Sequence, residues 1–399
     1  MGVRWRLAAI ILSALLVLCL IVAGLWWWLR PVPGPLRLVR ISFAELPGWA
    51  ASDPGAALGA FTRSCAALAG KPDAAPMGGA GYAGTVGGWR AACRAAPGAD
   101  PLEARDFFER WFTPFAVSAG RVAEGRFTGY YEPELEVSRW RHGPYQTPIY
   151  GRPDDLITVD LGQFRPALKG ERIAGKVEKG RLVPYADRAE INAKGLSKAR
   201  VLFYARDSVA AFFLHIQGSG RVVFDDGTEA RVSYAAQNGR LYTAIGKTLI
   251  ERGVPRSGMS MQMIRDWLKA HPKEAQQVME EDESFIFFQE EPVGDASLGA
   301  KGAQGVPLTP LASLAVDSRL HPMGVPLFAA GGGALDRLFV AQDTGGAIRG
   351  PVRGDVFFGF GGTAGDHAGT MNQMGRMFVL LPKPVAKRLK QRTDYPDSR

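Results

Sequence analysis

Two aspartates bracket a glycine-rich stretch in the C-terminal part of the sequence, DTGGAIRGPVRGD, from Asp343 to Asp355. Four glycines, one proline and two arginines lie between them, and apolar runs typical of strands precede Asp343 and follow Asp355. Both carboxylates are therefore predicted at strand ends, where polar groups converge on a ligand at the mouth of a β-barrel. A carboxyl group in a partly desolvated cleft can keep its proton near neutral pH and act as a general acid.

Other chemistries for this stretch need residues that it lacks. Metal binding would require more oxygen ligands or closely spaced histidines, and this stretch contains neither an EF-hand loop nor an HxxE-type pair. The glycine amides could contact phosphate, yet there is no Walker pattern with Gly-Lys-Ser/Thr. We therefore expect no metal and no cofactor. A structural role remains an alternative, because aspartate commonly caps turns and begins strands.

The segments that must position these aspartates change in character along the chain. In residues 55–119 the apolar spacing indicates helices. Residues 126–201 have short apolar runs broken by Gly, Pro and Asp, which predict strands, and RVLFYA and AAFFLHIQGSGRVVF are interpreted as further strands. Helices are predicted at 242–252 and 261–271, and strands return from residue 285. A β-rich middle between segments that must share one core is typical of an inserted domain.

Length and charge restrict the class of protein. A chain of 399 residues is long enough for about two folded units with appendages. The formal charge is +9, but residues 1–30 carry +3 and the tail 383–399 carries +4, which leaves the body near +2. We therefore do not expect nucleic acid as a partner, and the basic tail is predicted to be a solvated, poorly ordered end.

The N-terminus contains an apolar run at residues 7–29, in which Ser13 is the only clearly polar side chain. As a helix it would be about 34 Å long, enough to cross a bilayer core of about 30 Å. An uncleaved membrane anchor is favoured, and the arginines that precede it keep the N-terminus in the cytoplasm. A lipoprotein acylated at Cys19 and a cleaved signal peptide are the alternatives, and each of the three exports the body.

Export affects the expected redox state of the two remaining cysteines, Cys65 and Cys93, which are 28 residues apart. In an oxidising compartment this pair can close a disulfide that stabilises the fold by about 3 kcal/mol through loop entropy. Two separate buried thiols are the alternative. The disulfide is the favoured interpretation.

Several motifs resemble one known family, in the order that the family shows. AVDSRLHPMGVPLFA at 315–329, AQDTGGAIRG at 341–350 and GDVFFGFG at 354–361 resemble the three-aspartate domain, whose aspartates fall on Asp317, Asp343 and Asp355. GRFTGYYEPELEVS at 125–138 and FFLHIQGSGRV at 212–222 resemble the insert of the membrane-bound lytic murein transglycosylase A family. Together the motifs span most of residues 125–381.

The resemblance implies a mainly β fold with flanking helices, in which a double-psi β-barrel is interrupted by a second, inserted β-barrel and a glycan groove lies between them. The division that follows is a membrane segment at 1–30, a linker at 31–54, a discontinuous catalytic barrel at 55–124 and 285–382, an insert at 125–284 and a basic tail at 383–399.

The activity that the resemblance implies is cleavage of the β-1,4 bond between N-acetylmuramic acid and N-acetylglucosamine in peptidoglycan, with formation of a 1,6-anhydro ring. The family's catalytic acid falls on Asp355, with Asp343 and Asp317 in support. One carboxyl group suffices because the C6 hydroxyl of the sugar is a tethered nucleophile. A hydrolase or a catalytically silent peptidoglycan-binding protein on the same barrel is the alternative.

The expected partners follow from the resemblance and from the N-terminal segment, and the groove residues follow from side-chain chemistry in and near the matching motifs. Glycan strands of peptidoglycan and a membrane are the expected partners, at the periplasmic face of a Gram-negative inner membrane or, for a lipoprotein, at the outer membrane. Cell-wall synthases or divisome proteins are further candidates that the sequence does not identify. The residues suited to stacking on sugars or hydrogen bonding to them are Tyr130, Tyr131, Gln217, Gly218, Ser219, Thr344, Gly345 and Gly346. Aromatic core packing and a Gly-Ser turn are the alternative.

Overall fold

The computed structural model describes residues 34–168, 170–257 and 259–389, together with the backbone of residues 392–395. The predicted membrane segment at 7–29, including Cys19, lies outside the described residues. In the part of the chain that is described, none of the helices combines the length and apolarity that a membrane crossing requires.

Strands and helices alternate irregularly along the chain. The strands are β1 Leu36–Arg40, β2 Phe112–Ala119, β3 Glu124–Glu132, β4 Glu134–Ser138, β5 Thr147–Tyr150, β6 Ile157–Asp160, β7 Arg172–Glu178, β8 Arg181–Pro184, β9 Val201–Ala205, β10 Gly220–Phe224, β11 Glu229–Gln237, β12 Ile286–Glu291, β13 Ser313–Val316, β14 Pro326–Ala330, β15 Arg337–Asp343, β16 Gly354–Phe360, β17 Asn372–Pro382 and β18 Arg392–Tyr395. The helices are α1 Gly55–Ala69, α2 Arg90–Ala95, α3 Ala104–Trp111, α4 Arg188–Lys194, α5 Ser208–Gln217, α6 Ile245–Glu251, α7 Met261–Ala270, α8 Pro272–Glu280, α9 Gly361–Thr370 and α10 Lys383–Ala386.

The largest sheet has nine strands in the order β14-β15-β13-β16-β3-β17-β2-β1-β18. Because β14 also pairs with β17, the six strands from β14 to β17 in this order close on themselves as a barrel. Closure leaves these six strands without a free edge. Asp343 and Asp355 lie on β15 and β16, which are both members of this barrel.

A second sheet has six strands in the order β12-β11-β10-β4-β9-β5, and a third has three strands in the order β6-β7-β8. A bridge between Gly151, just after β5, and Phe288 on β12 brings the two ends of the six-stranded sheet together. Buried side chains of β4, β9, β10 and β11 form one core inside it.

The chain crosses between the two large sheets twice. It leaves the nine-stranded sheet between β3 and β4, which are separated only by Pro133, and it returns between β12 and β13. The predicted domain boundaries at 124/125 and 284/285 stay a prediction. By strand pairing, residues 124–132 belong to the nine-stranded sheet and residues 286–291 to the six-stranded one.

The strand prediction for AAFFLHIQ was wrong, because this segment is helix α5. The carboxylate of Asp207 caps its first turn by accepting hydrogen bonds from the amides of Val209 and Ala210. Gly218 ends it in the left-handed conformation, at φ 78°. Helix α5 is buried on most of its surface, so its apolar residues show no amphipathic period.

Three further expectations need correction. The helical region was predicted to continue to residue 119, but residues 112–119 are β2, which pairs with β1 and β17. Part of the predicted linker, residues 36–40, is β1, in which Leu36 and Leu38 are buried. The basic tail begins with α10, which buries Val385, and its backbone continues into β18, which pairs with β1. In each case, pairing or packing with distant segments decides the structure.

The disulfide between Cys65 and Cys93 is present and joins α1 to α2, as predicted. Aromatic packing supports the same junction, since the ring of Phe61 on α1 lies 6.3 Å from that of Trp89 and 5.4 Å from that of Phe112, between centroids. Helix α1 is therefore held firmly to its neighbours. This matters for the site because α1 contacts the end of β15.

Candidate active site

Strand register brings the two aspartates of the glycine-rich stretch together. Ala315 on β13 is aligned with Asp343 on one side and with Asp355 on the other. On the far side of β16, Asp355 is aligned with Thr128 of the parallel strand β3. Four adjacent barrel strands thus place Asp343, Ala315, Asp355 and Thr128 in one row.

The carboxyl group of Asp355 is only partly exposed and is held from one side. Thr128 Oγ1 donates a hydrogen bond to its Oδ1, and Arg353 Nη2 donates to the same hydroxyl at 2.7 Å. Because the hydroxyl of Thr128 accepts from Arg353, its own hydrogen points to Asp355 and leaves Oδ2 as the oxygen that can carry a proton. Burial raises the pKa of Asp355 to about 6, against the lowering effects of Thr128 and Arg353, and the nearby charge of Asp343 adds to the rise.

Asp343 sits in a different environment with three hydrogen-bond donors. Its Oδ1 accepts from the amides of Ala303 and Thr344, both at 2.9 Å, and its Oδ2 accepts from the hydroxyl of Tyr130 at 2.8 Å. Burial raises the pKa of Asp343, while these three hydrogen bonds lower it. Burial and the adjacent carboxylates raise the pKa of Tyr130 well above its usual value, so its hydroxyl stays protonated and can donate.

The residue before Asp343 is locked to helix α1 by a buried polar network. The Nε2 of Gln342 donates to the carbonyl of Ala60 and to Ser64 Oγ, both at 2.8 Å, and its Oε1 accepts from Ser313 Oγ at 2.5 Å. Gln342, Ser64 and Ser313 are fully buried. Because every member of this network has a partner, the end of β15 has a single well-defined position.

Asp317 is fully buried and organises the turn between the other two aspartates. Its carboxylate accepts from Arg319 Nε at 3.0 Å, Arg319 Nη2 at 2.9 Å and the amide of Gly350 at 2.9 Å. Burial alone would raise the pKa of Asp317, but these hydrogen bonds outweigh it and hold the pKa below its usual value. Among the described residues no hydrogen bond joins Asp317 to Asp343 or Asp355, so its contacts favour a role in shaping the loop.

The turn after Asp343 contains three of the eight residues predicted to contact the sugar, Thr344, Gly345 and Gly346. Thr344 Oγ1 donates to the carbonyl of Val316 at 2.8 Å, which engages this hydroxyl in holding the turn. Gly346 is exposed, and a Cβ placed on it would meet no atom within 4 Å. Gly345 is partly exposed. Glycan contact through this turn stays a prediction.

The other predicted groove residues lie where β3 meets the helices of the insert. The amide of Tyr131 donates to Gln217 Oε1 at 3.1 Å, and the hydroxyl of Tyr131 accepts from Arg265 Nη2 at 2.8 Å. The Tyr131 side chain is buried, so its ring serves packing rather than an open stacking face. Gly218 ends α5 and Ser219 follows it. Sugar binding by this group also stays a prediction.

Sequence reasoning missed Thr128, Arg353 and the Ala303 amide as neighbours of the aspartate pair, and it assigned Tyr130 to sugar contact rather than to a hydrogen bond with Asp343. Thr128 and Tyr130 alternate within the motif at 125–138, and this period of two was the available signal that they share a face of β3. Arg353 lies within the glycine-rich stretch itself, two residues before Asp355. Ala303 acts through its backbone amide, so its side chain carried no signal.

Comparison with known proteins places this geometry in a family. The family described as MltA specific insert domain matches residues 126–289, and the one described as 3D domain matches residues 312–381. The membrane-bound lytic murein transglycosylase A of Escherichia coli K12 is 36% identical over 303 residues, which cover 72% of this chain and 74% of the relative. The chain belongs to the membrane-bound lytic murein transglycosylase A family. The Vibrio cholerae member is 33% identical over 67% of this chain and 69% of its own length.

Solved structures of family members share the fold. A membrane-bound lytic murein transglycosylase from Agrobacterium tumefaciens matches with a TM-score of 0.77 at 34% identity, over 88% of this chain and 99% of the other. MltA from Neisseria gonorrhoeae matches with a TM-score of 0.73 at 33% identity, over 93% and 99%. Escherichia coli MltA with bound chitohexaose matches with a TM-score of 0.59 at 31% identity, over 82% and 90%. The predicted mainly β fold with two barrels is confirmed.

Proposed function

We propose that this protein is a lytic transglycosylase that cleaves the β-1,4 bond between N-acetylmuramic acid and N-acetylglucosamine in peptidoglycan and leaves 1,6-anhydromuramic ends. The main observation in support is the row that Asp343, Asp355 and Thr128 form across the barrel strands. In this row the carboxyl group of Asp355 has a pKa of about 6. Its fit to the family, whose members are named for this activity, supports the proposal.

In the proposed mechanism Asp355 handles both proton transfers. Its Oδ2 donates a proton to the glycosidic oxygen as the bond from that oxygen to C1 of the muramyl sugar breaks. The C6 hydroxyl of the same sugar then attacks C1, and the carboxylate of Asp355 takes up its proton. The enzyme returns to its starting protonation state, and no water enters the products. A tethered nucleophile makes a second catalytic carboxyl group unnecessary.

Asp343 would act as the charged partner of this pair. Two carboxyl groups in one site rarely both ionise, and the three donors to Asp343 favour its charged form while Asp355 keeps the proton. The negative charge of Asp343 stabilises positive charge that develops at C1 in the transition state. The same charge helps to keep Asp355 protonated.

The products of murein digestion test the proposed function directly. Purified murein is incubated with the full-length protein, and the released fragments are analysed by mass spectrometry. Anhydro fragments weigh one water less than the corresponding hydrolytic fragments, so the expected result is release of the lighter series alone. Fragments with reducing ends would identify a hydrolase, and no release would identify a binding protein.

The pH dependence of turnover should report the two carboxyl groups. Because Asp355 must be protonated to donate, kcat should fall about tenfold per pH unit above its pKa of about 6. A second decline is expected on the acid side as Asp343 becomes protonated, since burial raises its pKa. The measurement is kcat on purified glycan strands across the pH range.

Protein stability must be measured at the same pH values as a control. The pKa of Asp355 is raised in the folded protein, so the folded state holds this proton more tightly than the unfolded chain does. Its contribution to the free energy of unfolding is therefore greatest below about pH 4 and decreases as the pH rises through about 6. A kcat that stays constant from pH 5 to pH 9 in folded protein would contradict the assigned role of Asp355.

We further propose that the body works at the periplasmic face of a membrane. The relatives are named as membrane-bound enzymes, and the apolar run at 7–29 is long enough to cross a bilayer. Mass analysis of the N-terminus of membrane-purified protein separates the forms: an intact start at Met1 or Gly2 supports the spanning anchor, and a lipid on Cys19 identifies a lipoprotein.

A further inference from the structure

Both connections between the nine-stranded and the six-stranded sheet pass one buried cluster of charges. Glu132 is the last residue of β3, immediately before the first crossover at Pro133. Arg221 on β10 and Arg231 on β11 are aligned with each other in neighbouring strands of the six-stranded sheet. We call these three residues, Glu132, Arg221 and Arg231, the crossover clasp.

The clasp binds the returning connection, residues 292–312, at several points. Arg231 donates to the carbonyls of Val293 and Leu298, each at 2.6 Å. Arg221 donates to the carbonyl of Ala296 at 2.6 Å. The amide of Ala300 donates to Glu132 Oε1 at 2.8 Å. One cluster therefore fastens the segments on which the chain leaves and re-enters the barrel that carries Asp343 and Asp355.

The outgoing crossover is held by the same residues. The backbone amide of Arg221 donates to the carbonyl of Pro133 at 2.8 Å. The side chain of Glu132 faces both arginines, with Oε1 3.2 Å from Arg231 Nε and Oε2 3.8 Å from Arg221 Nε. Burial raises the pKa of Glu132, while the two arginines and the Ala300 amide lower it.

The clasp is poorly suited to a role in stability alone. The side chain of Glu132 is fully buried, and those of Arg221 and Arg231 are 11% and 6% exposed. Among the described atoms, Glu132 Oε2 and the Nε atoms of both arginines make no hydrogen bond. Desolvation of charges with incomplete hydrogen bonding is costly and often cancels their attraction. A different benefit must explain three charges at this position.

The clasp contacts two strands that carry residues of the site, and holding these strands in place is the benefit. Strand β3, which ends at Glu132, carries Thr128 and Tyr130, the side chains that donate to the two aspartates. The guanidinium of Arg221 stacks on Phe360, 3.4 Å from the ring centroid, and Phe360 ends the strand that carries Asp355. The clasp thus contacts both strands that form the Asp355 side of the site.

We propose that the crossover clasp sets the orientation of the inserted six-stranded barrel relative to the catalytic barrel, and so positions the second wall of the glycan groove. The assignment of the groove to a glycan depends on the proposed function, whereas the relative orientation of the two barrels does not. Glu132 is on this view a positioning residue, which acts through the backbone of both crossovers. Without its charge the two aligned guanidinium groups repel each other, and the connection that they hold loses its fixed path.

A distance measurement between the two barrels tests the proposal without reference to activity. Spin labels are introduced through a noncanonical keto amino acid at positions 140 and 374, so that the native cysteines stay intact. Trp140 follows β4 and is 78% exposed, and Met374 lies on β17 and is 59% exposed. Pulsed electron-spin measurements on the full-length parent protein should give one narrow distance distribution, and Glu132→Gln should shift it or at least double its width.

A matched control separates orientation from general destabilisation. Arg188 and Asp282 form another buried ion pair at 3.3 Å within the predicted insert, and among the described residues neither side chain hydrogen-bonds a crossover residue. Asp282→Asn should lower the melting temperature but leave the distance distribution unchanged. If Glu132→Gln leaves the distribution unchanged, or if Asp282→Asn changes it equally, the proposal is wrong.

A second variant covers the case in which Glu132→Gln does not fold. Phe360→Leu removes the stacking partner of Arg221 and leaves all three charges in place. It should broaden the distribution in the same sense by a smaller amount. A distribution identical to that of the parent would then count against the proposal.

Kinetics distinguish this proposal from the proposed function on which the groove rests. Glu132→Gln should raise KM for glycan strands about tenfold and change kcat less than about threefold, because ground-state binding across the groove is lost while Asp355 is untouched. The alkaline limb of the pH profile should stay in place. If the variant changes the distance distribution but the parent releases no anhydro fragments, the role of the clasp is supported and the proposed activity is wrong. If the parent is active and Glu132→Gln leaves KM unchanged, the proposed activity is supported and the role of the clasp is wrong.

Discussion

Replacement of Asp355 by asparagine is expected to lower kcat at least about a thousandfold while the affinity for glycan strands stays within about twofold. General acid catalysis alone contributes about 10²- to 10⁴-fold, and in the proposed mechanism the same group is also the base in the second step. Asparagine has the same shape and can still accept the hydrogen bond from Thr128, so the row of barrel residues should persist. The expected loss therefore concerns proton transfer and not binding.

The Asp355→Asn experiment needs rates and affinities from one preparation. Anhydro product formation is followed by mass spectrometry, and binding of purified glycan strands is measured by calorimetry. Asp226→Asn is a suitable control, because Asp226 is an exposed carboxylate in the hairpin turn between β10 and β11. The control should keep full activity. An Asp355→Asn enzyme with more than a tenth of the parental kcat would remove Asp355 from its proposed role.

Replacement of Asp343 by asparagine is expected to lower kcat about a hundredfold and to move the alkaline limb of the pH profile to lower pH. A fixed negative charge next to the reacting carbon stabilises developing positive charge by several kcal/mol in a water-poor site. The same charge raises the pKa of Asp355, so its removal should let Asp355 lose its proton at lower pH. A purely structural role for Asp343 would reduce kcat without moving this limb.

Tyr130→Phe is the matched variant for this comparison. It removes one donor to Asp343 and keeps the charge and the ring, which packs on Phe357 at 5.3 Å between centroids. One hydrogen bond to a charged acceptor contributes about 1.5–3 kcal/mol to holding Asp343 in place. Because this variant keeps the negative charge that stabilises the transition state, kcat should fall less than in Asp343→Asn. Steady-state rates from pH 4 to pH 9 give both kcat and the position of the alkaline limb for each variant. If the two variants lose the same activity, the charge of Asp343 is not the decisive property.

Local sequence pattern was sufficient for those parts of the fold that neighbouring residues determine. Strand runs that end in glycine, proline and aspartate placed Asp343 and Asp355 correctly at strand ends, because these residues favour turns through their own backbone preferences. The pattern was insufficient for α5, because a helix buried on nearly all sides has no polar face and its apolar run resembles a buried strand. The cap at Asp207 and the glycine at 218 were the signals that could have identified it.

Contacts between distant parts of the chain decided the rest. Segment 36–40 is short and follows a proline-rich stretch, yet it is a strand because β2 and β18 satisfy its backbone hydrogen bonds. The crossover clasp joins residues about a hundred positions apart, and nothing in the spacing of one glutamate and two arginines indicates that they meet. A charged residue in a strand-like run is more often solvent-exposed, so burial of Glu132 was not predictable from its type.

The sequence by itself indicated the two carboxyl groups to which we assign the chemistry, that they stand at strand ends, and which two cysteines pair. Only the tertiary structure decided how the environments of Asp343 and Asp355 differ from each other. Thr128 is 227 residues from Asp355, and Tyr130 is 213 residues from Asp343. The register of a closed barrel sets these neighbours, because closure aligns strands from remote parts of the chain. The pKa values follow from that alignment, since desolvation and hydrogen bonding depend on spatial neighbours rather than on neighbours in sequence.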